Sequence, residues 1–179
     1  IQESVHSKQQ ELYIDTQDVL HEDIITDKLR LTQVLLNISS NAVKFTPVGG
    51  TVNIRVSEKP CRRDGCTTVV FSVKDNGIGM SEEFQAHVFD SFSRERSSTQ
   101  SGIIGTGLGM AITRNIVDMM GGTISLTSKE GKGTEFVVSL NFKTLDKATV
   151  YGPIPELVGA RALVVDDDVH TCMSVSKML

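Results

Sequence analysis

At 179 residues, with 39% hydrophobic and 22% charged side chains, the chain fits one soluble domain of ordinary size and a little more. A formal net charge of −4, no Trp and two Tyr argue against a nucleic-acid binder, which needs basic surplus and stacking rings. No apolar run approaches membrane-spanning length, no signal peptide opens the chain, and Cys61, Cys66 and Cys172 lack zinc spacing.

That odd cysteine set reads as reduced thiols of a cytoplasmic protein, although Cys61 and Cys66 flank a turn and could meet. The opening residues 1–8 are polar and read as the tail of an upstream helix. "ELYIDTQD" alternates, with Leu12 and Ile14 on one side, and predicts a short strand. From Asp27 to Lys44, apolar residues recur at Leu31, Val34, Leu35, Ile38 and Ala42, the spacing of a helix with one buried face. Pro47 and Gly49-Gly50 end it.

"TVNIRVS" and "TTVVFSVK" predict an antiparallel hairpin, its long loop carrying Pro60 and Asp64-Gly65 as turn residues. "EEFQAHVFDSF" predicts a short helix before the polar "SRERSSTQSG". A further helix runs from Leu108 to Met120, with Leu108, Ile112, Ile116 and Met119 on one side, and Gly121-Gly122 stops it. "TISLTSK" and "TEFVVSLNF" form a second hairpin, with Phe136, Val138, Leu140 and Phe142 as a regular apolar face. Hairpins dominate, so the expected fold is an α/β two-layer sandwich: a mixed, mostly antiparallel sheet with helices on one face. After Phe142 the composition changes. Residues 144–160, rich in Pro and Gly, read as a linker, and 161–179 as the start of a second domain too short to bury a core.

The run "GIIGTGLGM" at 102–110 raises the question of phosphate. Gly105, Gly107 and Gly109 follow no strand and lack dinucleotide spacing, and no Lys-Ser/Thr completes a Walker A loop. Taken alone, it could be an ordinary flexible turn. Asn37, Asn41 and Lys44 stand at i, i+4 and i+7 on one helix face, opposite much of the apolar stripe. That face is either solvated or able to meet a hard cation and phosphate. Asp75 at a strand end, followed by Gly77 and Gly79, offers a carboxylate beside backbone that a flat ring can approach. Thr134 follows two glycines at a strand start.

In order, "NISSNAVKFT", "DNGIGM", "VFDSFSR", "GTGLGM" and "GKGTEF" resemble the ATP-binding catalytic domain of sensor histidine kinases, of the GHKL superfamily shared with gyrase, Hsp90 and MutL. The resemblance covers residues 9–143. It implies ATP and Mg²⁺, with Asn41 on the metal, Asn37 beside the phosphates, Lys44 on a phosphate and Phe45 packed near adenine. Asp75 would accept from the adenine amino group, with Gly77 and Gly79 permitting close approach and Thr134 supporting the contact. "VFDSFSRERSSTQSGIIGTG" resembles the ATP lid, anchored by Phe89 and Phe92, with Arg94 reaching the γ-phosphate. Gly105, Gly107 and Gly109 close it, and the amides leading into the Leu108 helix face the phosphates. "ALVVDDD" resembles the first strand of a receiver domain, with Asp166 and Asp167 as its Mg²⁺-binding acids.

Together these imply the catalytic module of a hybrid histidine kinase, delivering the γ-phosphoryl to a histidine on dimerisation helices outside this chain. His6, His21, His87 and His170 lack the acceptor's context, so the fragment is expected to be monomeric and unable to phosphorylate itself. Whether the full protein is membrane-anchored stays open. The alternative is a nucleotide-sensing module without kinase activity that docks a partner through its lid. Hydrolysis of the gyrase or Hsp90 kind is disfavoured, because Asn37 stands where those ATPases carry a glutamate base.

Overall fold

A computed structural model of the chain describes residues 1–21, 23–61, 63–93, 106–145, 159, 161 and 163–165. Contacts divide the chain into two units, Ile1–Leu145 and Asp146–Leu179. The first is built from α1 (Gln2–Ser7), β1 (Glu11–Asp18), β2 (Ile24–Ile25), α2 (Lys28–Phe45), β3 (Thr51–Pro60), β4 (Cys66–Asp75), α3 (Glu82–His87), α4 (Gly109–Met119), β5 (Thr123–Lys129) and β6 (Gly133–Thr144). The sheet runs β1-β3-β4-β6, and the far edge of β6 is shared by β5 along 133–139 and β2 along 143–144. Among the described residues, only β1 and β3 pair in parallel. This is the mixed, mostly antiparallel sheet expected, with α2 packed on β4, α4 on β5, and the two helices against each other.

Alternation sets which side chains meet the helices. In β4, Thr67, Val69, Phe71, Val73 and Asp75 are buried in strict period two. In β6 the buried set is Thr134, Phe136, Val138, Leu140 and Phe142. Lys74 pairs with Glu135, so the register brings Thr134 beside Asp75 at the end of both inward rows. Against these rows α2 lays Val34, Ile38, Ala42 and Val43. Asp27 caps the start of α2, its Oδ1 accepting from the Arg30 N–H at 3.0 Å.

The other end of α2 is held by Lys8, which sequence reading assigned to a separate tail, and by Gln10 just after that tail. Lys8 Nζ donates to the carbonyls of Val43 (3.0 Å), Lys44 (2.8 Å) and Thr46 (3.1 Å). Gln10 Nε2 donates to Val43 O (3.0 Å) and Thr46 O (2.7 Å). An ammonium and an amide thus satisfy carbonyls that a helix C-terminus leaves unpaired, and the cation meets the negative end of the helix dipole.

Several expectations are corrected. Cys61 and Cys66 form a disulfide, their Cα atoms 5.6 Å apart, rather than remaining thiols. Pro60 is the last residue of β3 and pairs with Thr67, so the hairpin loop is only 61–65. On α4, Ile112 and Met119 are exposed, and the buried face is Met110, Ala111, Thr113, Ile116 and Val117. The helix is tucked against both α2 and β5, so a stripe of large side chains alone misplaced its inner face. Ile14 is exposed although Leu12 packs on the core, and β2 was not foreseen because two residues carry no period. In the second unit, residues 163–165 form no strand and Leu163 and Val165 are exposed, while Asp166 and Asp167 lie outside the described residues.

At the disulfide end of the sheet, Glu58 organises the loop before α2. Its carboxylate accepts from Thr67 Oγ1 (2.6 Å), Leu20 N (2.8 Å) and His21 N (2.9 Å), with His21 Nδ1 at 2.5 Å. Burial pushes the acid up, but these hydrogen bonds outweigh it and hold the pKa at about 2 against an ordinary value of 4.5. Because the folded value is the lower one, this stability is present above pH 4.5 and is lost as pH falls towards 2. Glu58→Gln is expected to lower the stability at pH 7 by about 1–2 kcal/mol, seen as a lower urea midpoint, and to flatten the acid fall. Urea titrations between pH 7 and 2.5 read both, and an unchanged acid limb would remove Glu58 as its source.

Candidate functional site

Between α2, α4 and the inward ends of β4 and β6 lies a cleft of about 280 Å³. Its apolar walls include Ile78, Met80, Phe84, Val88, Met110 and Phe136, none of them named from sequence as site residues. Most of them lie inside the quoted motifs, but each carries ordinary core chemistry and reads from sequence as packing. The polar groups sit towards two ends. Along α2, Asn37 precedes Phe45 by eight residues, about 12 Å at 1.5 Å per residue. Asn37 lies against Gly109, while the Phe45 carbonyl accepts from the Ile78 N–H at 3.3 Å. One end therefore holds Asn37 with Gly109 against it, and the other Asp75, Gly79 and Thr134 beside Phe45; Asn41 and Lys44 follow one another between them along α2, Lys44 next to Phe45, and Gly107 joins the lining before α4.

The Asp75 end is a buried acceptor built by the sheet register. Asp75 is 8% exposed, and its Oδ1 accepts from Gly77 N (2.8 Å) and Thr134 N (3.3 Å). Both bonds converge on Oδ1, which leaves Oδ2 with capacity for a ligand donor. Burial raises the carboxyl above its ordinary 3.8, opposed by the two N–H donors. Thr134 supports the acid through its backbone amide, whereas its hydroxyl meets Ser128 Oγ at 2.8 Å. Gly77 does not line the cleft. A Cβ there would fall 2.5 Å from Phe45 O, so this glycine admits the C-terminus of α2 rather than a ring. At Gly79, with φ of 67°, a Cβ would collide with Lys129 O.

At the other end, Asn37 and Asn41 are half-buried rather than opposed to the core, a correction that follows from α4 covering this side of α2. Asn37 Nδ2 donates to Gly109 O and, at 2.7 Å, to Thr113 Oγ1; Asn41 Nδ2 donates to Met110 Sδ at 3.3 Å. Lys44 Nζ lies 5.2 Å from the centroid of the Phe45 ring. Leu108 is the half-buried residue before α4, outside the cleft lining.

Phe89 packs edge-on against Phe136, their centroids 6.5 Å apart, with Arg114 Cζ 5.0 Å from its ring. Phe92 is not the core anchor expected: it is 72% exposed, with φ of 64°. Its role here is backbone, since its N–H donates to Gly107 O at 2.9 Å. Arg94 and Gly105 lie outside the described residues.

The donor set suits a hard cation held partly by a ligand. Among the described residues no three His, Cys, Asp or Glu side chains cluster to hold a metal. Amide oxygens at the Asn end match instead Mg²⁺, which keeps waters and binds through few protein groups plus phosphates. A buried carboxylate acceptor and apolar walls, with amide side chains further along α2, fit a flat, polar-tailed ligand.

Residues 26–144 match the family model described as "Histidine kinase-, DNA gyrase B-, and HSP90-like ATPase". The virulence sensor protein BvgS of Bordetella bronchiseptica is 38% identical over 180 aligned residues, covering 94% of this chain and 14% of that protein. The sensor histidine kinase GacS of Pseudomonas protegens is 37% identical over 169 residues, covering 92% of this chain and 18% of that protein. The chain thus spans less than a fifth of the length of either relative. Full-length ShkA in complex with AMPPNP superposes with a TM-score of 0.65 at 33% identity, over 80% of this chain and 28% of that one. The nucleotide-free catalytic domain of the histidine kinase ThkA gives 0.60 at 26% identity, over 80% and 87%.

Proposed function

The chain belongs to the histidine kinase-, DNA gyrase B- and HSP90-like ATPases, and we propose that it is the catalytic module of a hybrid sensor histidine kinase. As a member it is an ATP-binding domain of the sensor-kinase kind; the transfer reaction and its partners are the proposal. The observation that carries it is the pairing of a buried carboxylate, Asp75, beside Phe45 with a polar row, Lys44, Asn41 and Asn37, running away from Phe45 along α2. An acceptor for an exocyclic amine, followed by a polar row that ends at Asn37 about 12 Å from Phe45 along α2, suits the length of ATP from base to phosphates.

In this reading Asp75 accepts from the adenine amino group, steadied by the Gly77 and Thr134 amides, and Gly79 lets the ring lie on backbone. Phe45 packs beside it. Asn41 would hold Mg²⁺, which supplies charge neutralisation at the phosphates. Lys44 orients the phosphate tail, Asn37 lies beside it with its amide oxygen towards the cation, the amides of Gly107, Leu108 and Gly109 face the phosphates, and Gly105 and Arg94 are read as lid residues. Asn37 has no basic site to deprotonate water. That favours transfer, in which the γ-phosphorus to oxygen bond breaks as a phosphorus–nitrogen bond forms on a histidine.

The acceptor histidine is placed on dimerisation helices beyond this chain, and residues 161–179 begin a receiver after the 144–160 linker. Alignment with a sensor protein over 94% of the chain extends past residue 144, where the family model ends, which supports a continuation shared with such sensors. Among the described residues no helix is long and apolar enough to cross a membrane. The reading takes the fragment as a monomeric, cytoplasmic module of a larger sensor.

The test is an extended chain carrying the histidine-bearing helices, incubated with γ-labelled ATP. Acid-labile, base-stable label is expected on a histidine only when Asn41 is intact. ATP bound without any labelled histidine would favour the alternative, a nucleotide sensor without kinase activity.

A further inference from the structure

We propose that Thr113 is a positioning residue for Asn37, fixing which end of its carboxamide faces the phosphate end of the cleft. This rests on the ATP reading for its consequence but not for its geometry. Thr113 sits in α4, 1% exposed, and no motif in the sequence singles it out. Its Oγ1 donates to Gly109 O, one turn back, at 2.9 Å. A hydroxyl has one proton, so towards Asn37 the same oxygen can only accept.

Asn37 Nδ2 answers at 2.7 Å. Its other partner is Gly109 O, a carbonyl that likewise can only accept. Both hydrogens of the amide are thus committed to α4, and the orientation of the carboxamide follows from chemistry rather than from the near-identical shapes of O and N. What remains for a ligand is Oδ1, an acceptor. Gly109 makes room for this arrangement, because a Cβ there would fall 2.7 Å from Asn37 Oδ1.

Asn41 is held in the same sense, Nδ2 to Met110 Sδ. The start of α4 therefore engages Nδ2 of both asparagines and leaves their oxygens to serve as acceptors. Without the Thr113 hydroxyl, Asn37 retains one acceptor instead of two. A rotated carboxamide then presents N–H to a cation, which repels it.

Thr113→Val preserves volume and removes the acceptor; Thr113→Ser keeps it. In the ¹⁵N-labelled full chain without ligand, the Asn37 side-chain amide, assigned by its loss in Asn37→Asp, is expected to exchange slowly with solvent. The Val variant should exchange it at the rate of an exposed amide, and the Ser variant should restore protection. By calorimetry, the ratio of ADP affinity with Mg²⁺ to that with EDTA should fall roughly 10-fold in Thr113→Val and recover in Thr113→Ser. Adenosine affinity, which reads the Asp75 end and the fold, should stay unchanged in both.

Equal amide protection in wild type and Val, or an unchanged Mg²⁺ ratio, overturns the proposal, as does a Ser variant that restores neither. A wild-type chain that binds no nucleotide sinks the ATP reading instead. The amide-exchange measurement needs no ligand and still decides the role of Thr113.

Discussion

Asp75→Asn is expected to weaken ATP binding roughly 10- to 100-fold, about 1.5–3 kcal/mol for a hydrogen bond to a charged group, while leaving the ligand-free protein at least as stable at pH 7. The two effects have one cause. Asp75 is 8% exposed, and burial raises its pKa above 3.8 despite the Gly77 and Thr134 amides. A folded value above the unfolded one means that folding disfavours the ionised acid. The associated stability is complete below pH 3.8 and is lost as pH rises through the folded value. At pH 7 the wild type carries that penalty and the amide does not. The Asn oxygen can still accept both backbone amides at the position of Oδ1. Its nitrogen, however, would confront the adenine amino group donor to donor. Calorimetry with ATP and urea titration of the same samples separate the outcomes. Wild-type affinity in a folded Asp75→Asn variant would dismiss the adenine assignment; a large loss of stability would show that the carboxylate serves the fold.

That Asp75 could be singled out from sequence has a physical reason. It terminates a strand whose burial alternates strictly through Thr67, Val69, Phe71 and Val73, a row the acid continues, but in the sequence Val69-Val70-Phe71 is an unbroken apolar run, and the Asp-Asn-Gly turn at the strand end is what marks Asp75. The α2 stripe from Leu31 to Ala42 was legible because it recurs at helical spacing, whereas the side that α4 covers carries the polar Asn37 and Asn41 and added no apolar period. In α4, wedged between α2 and β5, the large apolar residues do not mark the inner face, which holds Thr113 and Met110 while Ile112 is exposed. Long-range contacts left no trace either. Lys8 binding the end of α2 joins residues 35–38 positions apart, and nothing local in "SVHSKQ" requires it. The cleft's apolar walls are core residues by composition, so a motif search finds its polar groups and takes what lies between as packing.

The hairpin between β5 and β6 offers a sharper test of how the sheet holds Asp75, through two glycines two residues apart. Gly131 has φ of 71° and open space where a Cβ would stand. Gly133 has φ of 97°, and a Cβ there would collide with the carbonyl oxygen of Asp75 and lie 2.8 Å from Asn76 Cα. Gly131→Ala should therefore lose only the left-handed backbone preference, about 1–2 kcal/mol. Gly133→Ala meets that same strain and must also part β6 from the end of β4, adding about 1–3 kcal/mol of overpacking. The displaced atoms are backbone on both sides, so no rotamer change can relieve them. Separation at this point also pulls the Thr134 amide from Asp75 Oδ1, a contact already at 3.3 Å. Gly133→Ala is thus expected to be the less stable variant in urea and, where folded, to bind ATP more weakly, whereas Gly131→Ala keeps wild-type affinity. Equal stability losses would mean that the β4–β6 junction yields freely. Unchanged affinity in Gly133→Ala would mean that Asp75 holds its place without Thr134.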